Sequence, residues 1–211
     1  MIAVCACYKT ETAWIPRRPG LRVLRTEPGD KATIGLQERI GDPKAVELLV
    51  SSGFCGGLDS TLQPGDIVLG SAVQTDEEAI AVGQSISARI ARILSSAEVG
   101  FRRGPVRTAP RVVSDGAEKH SLAETGAIAV DMESGYLARW ARRFEIDFVV
   151  VRAVLDPLRI RIPFNTGRPS ARSIAAHPLA TMRLAKLSVV AGKAVGRAIA
   201  ALAEGIGEEA A

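Results

Sequence analysis

At 211 residues, 47% hydrophobic and 24% charged, the chain is long enough to bury one substantial core and has the balance of a soluble globular protein. Its formal charge of +4 comes largely from scattered arginines (Arg17, Arg18, Arg102, Arg103, Arg142, Arg143) with no basic stripe interleaved with aromatics, so a nucleic-acid partner is not expected. No apolar run approaches the ~18 residues of a membrane span. The apolar start, Met1 to Thr10, has no basic region before it and no cleavage site after it. Cys5, Cys7 and Cys55 are odd in number and lie in apolar segments, which predicts buried thiols in the reducing cytoplasm. The Cys-x-Cys pair has no second pair or His cluster to complete it, so no metal is expected.

In chain order, Ile2 to Cys7 is a short apolar run that reads as a buried strand, with Glu11 just beyond its end. Arg18-Pro19-Gly20 marks a turn into an edge strand at Leu21 to Arg25. Asp42-Pro43-Lys44 opens a short helix. The run Val46 to Val50 carries on into Ser51 to Gly57, a strand expected to end in a glycine loop. The turn Pro64-Gly65-Asp66 feeds another strand, Ile67 to Leu69. Glu77 to Ser96 has a helical period, Arg111 to Val113 reads as a strand, and Gly116 to Thr125 as a helix. A buried strand, Ala127 to Val130, runs into Asp131-Met132-Glu133-Ser134 and a helix to Phe144. Phe148 to Val154, the most β-branched stretch, ends at Leu155-Asp156-Pro157, and Pro178 to Ala203 is helical. Apolar strands alternating with helices predict a single α/β domain over residues 1–211, its central sheet mixed but largely parallel and covered by helices on both faces.

Ligands of such sheets bind beyond the carboxyl ends of the strands, where three acidic residues fall: Glu11, Glu133 and Asp156. Asp131 to Ser134 suits a helix cap, with acidic residues favoured by the helix dipole, and Asp131 or Ser134 can do that alone. Glu133 then remains to accept two sugar hydroxyls, with Met132 as a flexible apolar surface beside it. Asp156 is either a turn residue before proline or a general acid kept protonated by its apolar strand. Arg152, on the same strand, reads as structural. Gly56 and Phe54 of the glycine loop, together with Asp131 and Ser114, complete the expected substrate contacts.

Taken together and in this order, these segments resemble the superfamily of purine nucleoside phosphorylases and methylthioadenosine/S-adenosylhomocysteine nucleosidases. The residues that carry the resemblance are Gly53 to Leu58 with Pro64 to Val68, then Val130 to Glu133, and finally Arg152 to Asp156. The resemblance implies a nucleoside phosphorylase-like fold and cleavage of a purine nucleoside between base and ribose. Glu133 would hold the ribose hydroxyls, Asp156 would protonate the base, and Glu11 would activate water. It further implies no cofactor, phosphate as a conceivable co-substrate, and a homodimer or higher homo-oligomer. Ala117 to Lys119, Thr125 to Ser134 and the Asp156-Pro157 pair are most similar to the hopanoid-associated phosphorylases, which implies adenine release from adenosylhopane. The alternatives are a methylthioadenosine or S-adenosylhomocysteine nucleosidase and, in another class, a nucleoside-binding protein that has lost turnover.

Two departures stand out. Leu155 occupies a position usually held by Ser or Ala, and Phe54 stands where hydrolytic members have a small residue; its ring would crowd a phosphate. Arg22 and Arg25 are the candidate phosphate ligands. On the last helix, Arg183, Lys186, Lys193 and Arg197 form a basic stripe, with Leu184, Leu187, Val190, Ile199 and Leu202 on other faces. That stripe either faces water or rests on an anionic membrane.

Overall fold

The computed structural model describes residues 1–159 and 177–209. In chain order the elements are β1 (Ile2–Ala6), α1 (Lys9–Thr12), β2 (Leu21–Arg25), α2 (Leu36–Ile40), β3 (Leu48–Gly57), β4 (Ile67–Gln74) and β5 (Ala79–Ala81). There follow α3 (Gln84–Ser96), β6 (Phe101–Thr108), α4 (Gly116–Ala123), β7 (Ala129–Asp131), α5 (Ser134–Arg143), β8 (Asp147–Asp156) and α6 (Pro178–Glu209). Short 3₁₀ turns stand at Gly29–Thr33 and Pro43–Ala45, the second capped by Asp42, which accepts from the Lys44 amide at 3.0 Å.

The eight strands form one mixed sheet. β1 pairs in parallel with the edge strand β2 and with β3. β3 pairs in parallel with β8, β4 with β6 and β6 with β7, whereas β4–β8, β4–β5 and β3–β7 are antiparallel. The ladder β3–β8–β4–β6–β7 therefore returns to β3, because β7 pairs with Gly56 and Gly57 on the side of β3 that β1 covers only as far as Ser51. Helices cover both faces: α3 and α6 pack together over β8 and β4, and α5 packs on β8, β4 and β6. α3 buries Ile86, Ile90, Ile93 and Leu94, one helical face, and each such aliphatic side chain contributes about 1.5–3 kcal/mol.

Four expectations from the sequence are corrected here. The glycine stretch Gly53–Gly57 is the second half of β3, since glycine in a strand also serves where other groups approach closely. A Cβ on Gly53 would lie 2.6 Å from the Glu11 carboxylate, and its φ of +119° suits glycine alone. The helical period at Glu77–Ser96 begins only at Gln84; before it, β5 forms a hairpin with β4, closed by Thr75 N–H donating to Glu78 O at 2.8 Å. Arg111–Val113 is not a strand, and the strand is β6, disguised by Arg102, Arg103 and Pro105. Only Gly104, Val106 and Thr108 of β6 are buried, and Pro105 sits where its ladder with β4 shifts register, a place that needs no N–H. Finally, α6 buries Ala191, Val195, Ala198, Ile199, Leu202 and Ile206, but no residue before Ala191; Val190 is exposed, not core.

Candidate active site

The parallel ladders β1–β3 and β3–β8 end on the same side, and a cavity of about 610 Å³ opens there. Glu11, Phe54, Gly56, Asp131, Met132, Glu133 and Asp156 all line it, so residues spread over 146 positions meet at one place. Leu155 and Arg25 line it too. Ser114 does not; it lies half-buried in the loop before α4. Arg22 is exposed on the edge strand and donates to Ile40 O at 3.1 Å.

Glu11 is the third residue of α1, and its carboxylate turns back onto the end of β1. Oε2 accepts from Cys7 N at 2.9 Å and Tyr8 N at 2.8 Å, and Oε1 from Phe54 N at 2.8 Å across on β3. Three backbone donors fix the orientation of a side chain that is only 2% exposed. Burial raises its pKa, while Arg152 and these hydrogen bonds oppose the rise.

Glu133 stands at the N-cap position of α5 but does not cap it with its side chain. Asp131 does that work: its carboxylate accepts from Ser134 N at 3.3 Å, from Thr108 Oγ1 at 2.8 Å and from the Ser134 hydroxyl. Glu133 is thereby left to the cavity, with Oε2 accepting from Arg152 Nη2 at 3.2 Å and Oε1 from Gly29 N at 3.4 Å. Burial pushes its pKa up; Arg152 pulls it down, and Asp131 and Glu11 add to the rise.

Arg152, read from the sequence as structural, is the hub of this cluster. It is 1% exposed and pairs with Asp131 Oδ2 at 3.0 Å and Glu133 Oε2 at 3.2 Å. It also donates to Ser51 Oγ at 3.0 Å and Phe54 O at 3.2 Å. Burial works against its charge, but the three carboxylates around it outweigh burial and raise its pKa. One guanidinium thus faces Asp131, Glu133 and Glu11 together.

Asp156 lines the cavity from the last position of β8 and is 5% exposed. Burial raises its pKa to about 6, against the pull of the Lys119 ammonium 2.5 Å from Oδ2. A carboxyl that holds its proton to about pH 6 can give it to a leaving group. Sequence reasoning gave neither Lys119 nor Arg152 a part in the site. The signal for Arg152 was available: a lone cation inside an apolar strand must find buried partners.

Residues 36–191 match the sequence profile of the phosphorylase superfamily. Among solved structures, the chain is similar to futalosine hydrolase of Helicobacter pylori, with 15% identity and a TM-score of 0.74 over 96% of this chain and 97% of that one. It is similar to the methylthioadenosine/S-adenosylhomocysteine nucleosidase of the same organism, with 16% identity and a TM-score of 0.73 over 98% and 97%. The corresponding nucleosidase of S. pneumoniae, solved with a transition-state inhibitor, gives 14% identity and a TM-score of 0.74 over 97% and 99%. At such identities these are likenesses of fold, whereas the profile covers most of the chain. The protein belongs to the phosphorylase superfamily.

Proposed function

We propose that this chain hydrolyses the N-glycosidic bond of a purine nucleoside, with adenine as the leaving base. Asp156 protonates the purine as the bond from C1′ breaks, so the bond's electron pair leaves on a neutral base. Water adds to the ribosyl cation and Glu11 takes its proton; solvent then restores both carboxyl groups. Glu133 accepts the ribose hydroxyls, and Met132 lies against the sugar. The observation that carries this reading is the meeting of Asp156, its pKa raised to about 6, with Glu11 and Glu133 in one cavity. Glu11, held in the cavity by three backbone donors, is placed to take a proton from water, which favours water as the nucleophile. The names of the similar structures, nucleosidases and a hydrolase, agree with it.

The test is incubation with adenosine, inosine, methylthioadenosine and S-adenosylhomocysteine, with and without phosphate, followed by chromatography for free base. Adenine release that is independent of phosphate is expected. Release only with phosphate makes the chain a phosphorylase, and binding without release makes it a nucleoside-binding protein. Glu133→Gln should weaken ribonucleosides sharply and 2′-deoxynucleosides much less, since a charged hydrogen bond is roughly twice as strong as a neutral one. Equal losses on both would return Glu133 to a structural role.

The finer reading is a lipid-linked adenine nucleoside such as adenosylhopane, met at a membrane surface. Leu184 and Ser188 of α6 line the cavity, and the exposed face of the same helix is both apolar and basic. Leu179, Met182, Val189 and Val190 are 44–76% exposed and fall with Arg183, Lys186, Lys193 and Arg197 within about 120° of arc. Each basic residue near an anionic bilayer contributes about 1 kcal/mol. The protein should therefore cosediment with phosphatidylserine-containing vesicles at low salt, and lose binding at high salt or when the four basic residues become Gln. Wild-type protein left in the supernatant at low salt would refute surface binding. Among the described residues no helix is long and apolar enough to cross a membrane.

A further inference from the structure

Lys119 takes no part in the reaction as set out above, yet its side chain is wholly buried. It sits in α4, whose start is capped by Asp115 accepting from Ala117 N and Glu118 N. From there Nζ reaches the end of β8 and donates to Asp156 Oδ2 at 2.5 Å, Asp156 O at 2.9 Å and Pro157 O at 3.3 Å. An ammonium has three protons, and here each has an acceptor. None remains for a substrate, so any part Lys119 plays in turnover is played through Asp156. A side chain needed only to fill this space would be cheaper as an apolar one, because a buried charge requires compensation at every proton.

Two consequences follow from the geometry. Oδ2 is committed to Lys119, which leaves Oδ1 as the carboxyl oxygen for the cavity that Asp156 lines. The two carbonyl bonds hold the backbone of Asp156 and Pro157 immediately after the Asp156 side chain, which restrains the carboxyl at the end of the strand. When Asp156 gives up its proton, the carboxylate that forms already has a cation beside it, with no reorganisation needed. We propose that Lys119 is the positioning residue of the acid: it turns Asp156 Oδ1 to the base and stabilises the carboxylate left after proton transfer. The inference rests on the reading of Asp156 as the general acid.

Among the described residues, the titratable groups facing Asp156 are Lys119 from α4 and the Cys55 thiol from β3. Burial raises the Cys55 pKa far enough to keep the thiol neutral, so Lys119 is the charge that sets the acid's titration. Without it, burial acts on Asp156 unopposed and the protonated form persists to higher pH. The acid is then weaker and less well aimed.

The experiment uses the nucleoside of the panel above that wild type cleaves fastest, and follows kcat, KM and the pH profile. Lys119→Met should lower kcat by roughly 10²-fold, the usual cost of a misplaced group, with KM little changed. Its alkaline limb should move up by about 1–3 pH units, the shift an adjacent opposite charge imposes. Lys119→Gln removes the charge but keeps two amide donors for the two carbonyls; it carries the same test if the Met variant does not fold. Adding Lys119→Met to Asp156→Asn should cost no further turnover, because the lysine acts through the acid. A purely structural lysine would lower the melting temperature and the active fraction but leave the pH profile in place. If Asp156→Asn is inactive while neither neutral variant moves the alkaline limb, the inference about Lys119 is overturned and the acid stands. If Asp156→Asn turns over at the wild-type rate, the acid reading fails and Lys119 falls with it.

Discussion

Asp156→Asn is expected to cut turnover by roughly 10²–10⁴-fold, the range that general acid–base catalysis supplies, while leaving nucleoside binding nearly intact. The amide matches the carboxyl in shape and can still accept from Lys119, but it has no proton to release to the base. The variant should also lose a limb of the pH profile. Wild-type kcat/KM reports the free enzyme, so it should fall as pH rises through about 6, where the raised Asp156 loses its proton. In the Asn variant the fall with rising pH should be gone from that region. Unchanged turnover, or a surviving fall near 6, would remove Asp156 from the mechanism.

What the sequence made legible was the part of the site carried by strand ends. Glu11, Glu133 and Asp156 follow apolar strands, and the geometry of a parallel sheet gathers such positions whatever lies between them. Arg152 and Lys119 were not legible in this way, because their roles depend on partners far away in the chain. Arg152 reads as a solitary cation in an apolar strand until Asp131 and Glu133, brought from the end of β7 and the start of α5, stand beside it. Lys119 lies on a short helix with no apolar stripe to say which side is inward. β6 was missed because its three arginines and its proline suggest a loop; its burial alternates only from Gly104 onward. The first half of α6 continues the helical period of the second, so periodicity alone could not tell that only residues from Ala191 onward meet the core.

The larger stability effect belongs to Arg152. Replacing it by Met keeps an unbranched side chain of similar reach but removes the only cation paired with Asp131 and Glu133 among the described residues. Removing one partner of a buried ion pair costs about 3–5 kcal/mol, because the other charge stays buried and uncompensated. For a chain of this size that is roughly a 6–20 °C fall in melting temperature. The fall should depend on pH, in a direction that follows from the same carboxylates. Burial already raises Glu133 and Glu11 above their unfolded pKa values, and Arg152 opposes the rise in both. Without Arg152 both rise further, and groups raised on folding favour the native state when protonated and lose that contribution as pH climbs through their folded pKa values. Arg152→Met should therefore lie closer to wild type at pH 5 than at pH 8, as read by circular dichroism melts at the two values. Adding Asp131→Asn and Glu133→Gln should recover part of the loss at pH 8, since both remove charges the guanidinium had neutralised. A fall of equal size at both pH values, or no recovery in the triple variant, would mean that Arg152 supports the fold through packing and its bonds to Ser51 and Phe54 rather than by balancing charge.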